Sequence, residues 1–379
     1  MTLVVDIHAL QTIPPSLINR DDMGAPKTAI FGGVPRQRVS SQSWKRAVRK
    51  YFETEVDAST VGLRSRELPE LIAGKVNEIA PEMTAEQALD GVRALFKATG
   101  KDGIKLVEPK APKKGEEAPE GMQYPTTGYL LFLSPHQIER AAQAIVEKDG
   151  EKFSKNEAND ILDTKHSVDM AMFGRMLADA PAYNVDASVQ VAHAISVHES
   201  QPEFDYFTAV DDVIEDAEES GAGMIGTTQM MSSTLYRFAT VNVEGLTANL
   251  GDAGIAQEAT GMFIKAFAES MPTGKQNSYA NNTLPELVYV AVRDTRSISL
   301  VNAFEDVIEG TGGSRRQAAV AALAKEANDV EKAYGMKPIA AYVVALGDLG
   351  SQFEGIAEPV TIAELTAKVT ETIANQKAE

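Results

Sequence analysis

Apolar and polar residues alternate in residues 3–10 (LVVDIHAL), with Leu3, Val5, Ile7 and Ala9 on one face, as in a half-buried strand. Asp6 and His8 share the other face with Val4 and Leu10. The alternation then stops. Pro14, Pro15, Gly24, Pro26, Gly32, Gly33 and Pro35 interrupt the next stretch and predict a loop without regular structure. From Ser40 or Ser41 the period becomes helical. Trp44, Val48 and Phe52 recur every fourth position and predict a serine-capped amphipathic helix running to about Phe52.

Two helices are predicted within 66–99, and another from Ser134, with Pro135 in the favoured first position. A further helix starts at Ser154, where Glu157 completes a capping box. Strand-like alternation marks 167–173, 188–198, 227–243 and 284–294. Residues 315–335 and 361–377 read as helices, the latter with a Thr361/Glu364 capping box. Strand-forming segments therefore lie on both sides of a helical stretch. The expected class is α+β, a sheet-forming unit interrupted by a helical insertion. Within that stretch, residues 101–120 (KDGIKLVEPKAPKKGEEAPE) offer little to bury and predict a mobile surface insertion.

Composition narrows the classes. The 379 residues allow two or three packing units. There is no cysteine, which excludes disulfides, zinc-thiolate sites and thiol nucleophiles. No apolar run approaches the ~18 residues of a membrane span. Asp6 in the first apolar stretch argues against a signal peptide. A cytoplasmic protein without a membrane partner is expected.

Charge adds a local feature to an acidic chain. The formal net charge is −18, yet residues 20–50 hold eight bases and two acids. Residues 203–219 (EFDYFTAVDDVIEDAEE) hold eight acids and no base. The basic window suits an anion; equally, it suits a solvated face in a chain kept soluble by its acids. In SSQSWKRAVRK (40–50), Gln42, Lys45 and Arg49 share one helical face, and the first turn lacks the acids that the helix dipole favours. Free backbone N–H groups, serine hydroxyls and cations at one helix start suit a phosphate backbone, against the alternative of a solvated surface helix.

The remaining motifs carry less. GAGMIG (221–226) matches a dinucleotide fingerprint in letters, but an acidic stretch precedes it and a strand-like segment follows, so a loop leading into a strand is expected. His193 and His198 are an odd number apart in a strand-like run and cannot share a metal. His8 beside Asp6 suggests an acid/base pair, although no matching nucleophile accompanies it. Met170, Met172 and Met176 around Arg175 suit stacked bases or a core equally well. The chain has no Walker A, G-x-S-x-G or H-E-x-x-H motif. No catalytic residue, cofactor or metal is expected.

The string LINRDDMGAPKTAIFGGVPRQRVSSQSWKRAVRK resembles the N-terminal region of the CasC-type backbone subunit, a RAMP-superfamily protein of the type I-E CRISPR Cascade complex. FGRM, VAHAISVH, FTAVDD, LYRFATVN, GKQNSYA and LVNAFE follow in matching order, while 55–165 and the C-terminal tail match weakly. The resemblance implies an RRM- or ferredoxin-like palm (1–58, 166–198 and 227–379, the last with C-terminal helices). It also implies a helical fingers insertion (59–165) and a protruding thumb hairpin (199–226). It implies a non-catalytic subunit that polymerises along a CRISPR RNA (crRNA) in antiviral defence, beside CasA-, CasB-, CasD- and CasE-type subunits. The guide bases are left to pair with target DNA, so sequence reading is delegated to base pairing. By the same resemblance Arg20, Lys27, Ser40, Gln42, Lys45 and Arg46 contact the guide backbone, with Arg49 on the same helical face. The resemblance also makes Met176 an apolar palm residue that packs against bases, with Arg175 beside it among the RNA-binding residues. Two alternatives stay open: an endoribonuclease processing CRISPR precursor RNA, with His8 as its base, and a dinucleotide-binding enzyme resting on GAGMIG.

Overall fold

The computed structural model describes residues 3–55, 61–101, 103–109, 122–178, 180–209, 224–310 and 314–376. The chain begins with β1 (Val4–Ser16), β2 (Thr28–Phe31), β3 (Val34–Val39) and α1 (Ser41–Glu55). Then come β4 (Leu63–Ser65), α2 (Leu68–Ile79), α3 (Ala85–Ala98), β5 (Leu106–Val107), β6 (Thr126–Thr127) and β7 (Leu131–Leu133). Three helices follow, α4 (Pro135–Lys148), α5 (Lys155–Leu162) and α6 (Val168–Phe173). Next are β8 (Val189–Val191), β9 (Ala194–Ser196), β10 (Glu203–Ala209), β11 (Met224–Asn242), α7 (Val243–Leu250), α8 (Ala253–Glu269) and α9 (Gln276–Tyr279). The last are β12 (Leu287–Arg293), α10 (Arg315–Tyr334), β13 (Ala340–Ala345), β14 (Glu358–Pro359) and α11 (Ile362–Gln376). The fold is α+β and divides into two compact units.

The first unit comprises Met1–Tyr51, Gln190–Val243 and Gln257–Glu379. Its sheet has the order β14-β13-β12-β1-β11-β9-β3-β2, with β8 and β10 also paired to β11. The β13–β14 pair is parallel. β1 lies between β11 and β12, both antiparallel to it. Because β1 is central, residues 3–10 are buried on both faces, and the expected half-buried strand is corrected accordingly. On one face Leu10, Tyr236, Phe238 and Tyr289 pack with Leu323 and Ala327 of α10. On the other, Ile13 and Leu235 pack with Trp44 of α1.

The breaker-rich stretch is a second correction. β1 runs through Pro14 and Pro15 to Ser16, with its register to β11 shifting between Ile13 and Ser16. β2 and β3 form a hairpin from Thr28↔Gln37 to Phe31↔Val34. Gly32 and Gly33, with φ of 58° and 79°, are its two-residue turn, the backbone that a twisted hairpin requires. A β-carbon on Gly32 would collide with the carbonyl oxygen of Glu305.

The second unit comprises Phe52–Val189 and Glu244–Ala256. Its core gathers Leu68 and Ile72 of α2, Val92 and Leu95 of α3, Ile138 and Ile145 of α4, and Leu162 of α5. The capping boxes at Ser134/Gln137 and Ser154/Glu157 start α4 and α5. Residues 167–173 were expected to be a strand, yet 168–173 form α6; Asp169, Met170, Ala171 and Met172 are all buried, which alternation cannot achieve on a one-sided strand. Residues 166–189, expected with the sheet-forming unit, group with this second one.

The 101–120 expectation is corrected in part. Ile104 is buried in the helical core, β5 pairs with β6, and Glu108 takes both hydrogen bonds of an Arg93 fork at 2.8 and 3.0 Å. Residues 102 and 110–120 lie outside the described residues.

β10 pairs with the start of β11 from Glu203↔Met230 to Ala209↔Met224. Phe204 and Tyr206 are 72% and 62% exposed there. Most of the acidic run and the tip of the expected thumb, residues 210–223, lie outside the described residues.

Candidate nucleic-acid interface

The helix start that the sequence singles out is held from three directions. Ser40 Oγ accepts the Ser43 N–H at 3.3 Å, and the Ser40 N–H donates to Asn19 Oδ1 at 2.9 Å, so the serine is both cap and tether. Trp44 is 1% exposed, and the Arg237 guanidinium lies 3.7 Å from its ring centroid and 4.4 Å from that of Phe267. Burial pushes the Arg237 pKa down to about 9. That cation–π contact fixes α1 against the sheet.

With Trp44 and Val48 inward, α1 turns Gln42, Arg46 and Lys50 to solvent and leaves Lys45 and Arg49 half-buried along the flank. Desolvation lowers the pKa of Lys45. The first turn of α1 contains no acid. Of the predicted trio, Gln42 is exposed while Lys45 and Arg49 are half-buried, and the i, i+3, i+7 spacing keeps all three on one side of α1.

Arg20, Arg46 and Lys50 line one cavity of about 310 Å³, together with Leu17–Asn19, Ser43, Ala47 and Met271–Gly274. Neither Arg20 nor Arg46 has an ion-pair partner among the described residues. The nearby Asp21 uses Oδ1 within its own turn, accepting the N–H groups of Met23 and Ala25 at 2.9 Å each. Gly274 allows the cavity wall to close, since a β-carbon there would collide with the Ile18 carbonyl. Just beyond it, Lys275 and Ala280 hold positive φ of 51° and 45° on either side of α9. Lys27 is half-buried, and its N–H donates to the Asn19 carbonyl at 3.1 Å, which ties it to the loop that tethers Ser40.

In the second unit the two remaining candidates diverge. Arg175 is a correction: it is 4% exposed and its guanidinium is engaged inside the protein. It donates to the carbonyls of Tyr183, Phe132 and Leu162 and pairs with Asp163 at 2.5 Å. Met176, next along the chain, is 85% exposed, whereas Met170 and Met172 are fully buried. Gly174, at φ +77°, sets this turn; a β-carbon would crowd the Val185 carbonyl at 2.7 Å.

His8 is sealed in the sheet core, fully buried, with Nδ1 2.8 Å from the Tyr236 hydroxyl. Burial, and secondarily Arg293, pushes its pKa down to about 3. An RNA hydroxyl cannot reach it. Of GAGMIG, Met224–Gly226 begin β11 rather than a helix, and 221–223 lie outside the described residues. Among the described residues no group of His, Asp and Glu has metal-binding geometry, and no helix is long and apolar enough to cross a membrane.

Sequence reading missed Arg38 and the exposed face of His193. Arg38 Nη1 lies 3.1 Å from His193 Nδ1, at the β3–β9 junction. Both residues stand in stretches quoted above; only the strand pairing brings them together.

A family model described as CT1975-like protein matches residues 5–368. A solved chain of a "CRISPR RNA-guided surveillance complex, pre-nicking" is 35% identical, with 97% of this chain and 100% of that one covered and a TM-score of 0.79. A second, from a "CRISPR RNA-guided surveillance complex", is 30% identical over 96% and 99% of the two chains, with a TM-score of 0.70. No curated protein matches.

Proposed function

Since the chain belongs to the CT1975-like Cas family, we propose that it is the guide-RNA-binding backbone subunit of a CRISPR surveillance complex of type I-E. On this reading it is non-catalytic and polymerises along the crRNA beside CasA-, CasB-, CasD- and CasE-type partners. The observation that carries the reading is the cavity where Arg20 and Arg46 converge without a carboxylate partner, in a chain of net charge −18. Two arginines without a carboxylate partner in so acidic a protein are a place for a polyanion. The exposed row of α1 presents charge rather than base-reading geometry, which suits a subunit that leaves guide bases free to pair with DNA.

The test is Lys45→Glu/Arg46→Glu in protein co-expressed with the other Cas subunits and a CRISPR array. Wild type should co-purify with RNA of uniform length. The double variant should lose most of that RNA whatever the guide sequence, and its log–log salt dependence should be shallower by about 1.4. Unchanged RNA occupancy would refute the reading. The endoribonuclease reading required His8 to meet a ribose hydroxyl, and the buried ring leaves that alternative without its base.

A further inference from the structure

We propose that Arg38 and His193 join Lys27 in a phosphate cradle at the β2–β3 edge of the sheet, which takes one phosphodiester of the guide strand and a proton with it. The proposal rests on the guide-RNA reading above. Three segments build the cradle: Lys27 precedes β2, Arg38 lies on β3, and His193 immediately precedes β9. The β3–β9 pairing, Arg38↔Ile195 and Val39↔Ala194, brings the last two together.

Arg38 Nε donates to the Thr28 carbonyl at 3.2 Å, which aims the guanidinium. Its Nη1 lies 3.1 Å from His193 Nδ1. A guanidinium cannot accept a hydrogen bond, so His193 accepts through Nδ1 and carries its proton on Nε2. The ring is therefore neutral. Burial first, then Arg38 and Lys27, holds its pKa below the usual histidine range. Those two cations are the charged groups that act on it, and no carboxylate pairs with any of the three side chains among the described residues. The arrangement is complementary to an anion. A phosphate oxygen that accepts from Arg38 displaces the Arg38–His193 bond, Nδ1 takes a proton from solvent, and the imidazolium then donates to the same phosphate. RNA binding and proton uptake are thereby linked, with tighter binding as pH falls from the bound-state pKa towards the lower free-state value.

The experiment uses the full-length protein and a fluorescent single-stranded RNA in anisotropy titrations at constant ionic strength, between about pH 8 and pH 5.5. Wild-type affinity should rise about 3- to 10-fold on acidification. His193→Gln should remove most of that rise. His193→Lys, a permanent cation on an exposed position, should bind at alkaline pH about as well as wild type does at acid pH. Arg38→Gln should weaken binding throughout and make the log–log salt slope shallower by about 0.7. A His193→Gln profile superimposable on wild type overturns the cradle while leaving the guide-RNA reading intact. So does an effect of these variants confined to RNA-free self-association. Failure of wild type to bind RNA at any pH overturns both.

Discussion

His8 lies among the rings of Phe238, Tyr289 and Tyr236, with centroids 5.0, 5.4 and 6.1 Å away. Its burial there, away from water and near Arg293, favours the neutral imidazole and opposes the charged one. The unfolded chain protonates this residue below about pH 6.5, the folded chain only near 3. Between those values the unfolded state binds more protons, so acid lowers stability. We expect His8→Phe to be about 1–2 kcal/mol less stable than wild type at pH 7, through the lost Tyr236 hydrogen bond. By pH 5 a swing of roughly 2 kcal/mol should close that gap or reverse it. Urea melts of both proteins across that range measure it, and parallel curves would mean that His8 protonates without penalty in the fold. The same residue marks what sequence reading can do. Alternation placed Asp6 and His8 on one face correctly, but only the flanking strands β11 and β12, more than 200 residues away, bury that face. Arg175 was misjudged for the same reason: its carbonyl partners range from 8 to 43 residues away, and charge read locally says nothing of them.

Elements whose signals are local were legible. The serine cap and apolar stripe of α1 and the capping boxes of α5 and α11 are written within a few residues and recur in the structure. The β2–β3 hairpin was not legible as read, because its paired glycines were counted as breakers when they are the turn. This has a test. Gly33→Ala meets no atom within 4 Å and should cost about 1 kcal/mol for its positive φ alone. Gly32→Ala adds the collision with Glu305 and should cost clearly more, so thermal melts should rank Gly32→Ala as the less stable variant. In the helical unit, Ile104→Ala should destabilise by about 2–4 kcal/mol, since Ile104 is 7% exposed in the core. A neutral result there would return residues 103–109 to the status of a dispensable insertion.

At the scale of the molecule, the net charge of −18 and the basic window are compositional facts that needed no fold. The convergence of Arg20, Arg46 and the 271–274 segment needed all of it. The proposed polymerisation along RNA would make a further demand on the β10–β11 pair. Phe204 and Tyr206, adjacent on one face of β10, have their rings largely in solvent. Phe207 instead rests on Gly226, where any β-carbon would strike its ring. Phe204→Ser/Tyr206→Ser should leave the melting temperature within about 2 °C of wild type. If those rings dock between copies, the variant should also lose the ordered, RNA-dependent assembly visible by electron microscopy. Assembly that survives intact would place the contacts elsewhere.

β11 is 19 residues long, and one uninterrupted backbone carries both the β10 pairing and the β1 pairing. Its first seven residues pair with β10, and its later residues form the ladder with β1 at the centre of the sheet. A pull on the β10–β11 end is therefore delivered lengthwise into a ladder running from Met231 to Asn242. Lengthwise load stretches many hydrogen bonds at once, where a peeling load would break them one by one. In a tether experiment, force applied along β11 should be resisted far better than force applied across the free edge at β2. A strand that serves as one arm of a hairpin and as the middle of a sheet behaves as a tendon set in its own bone.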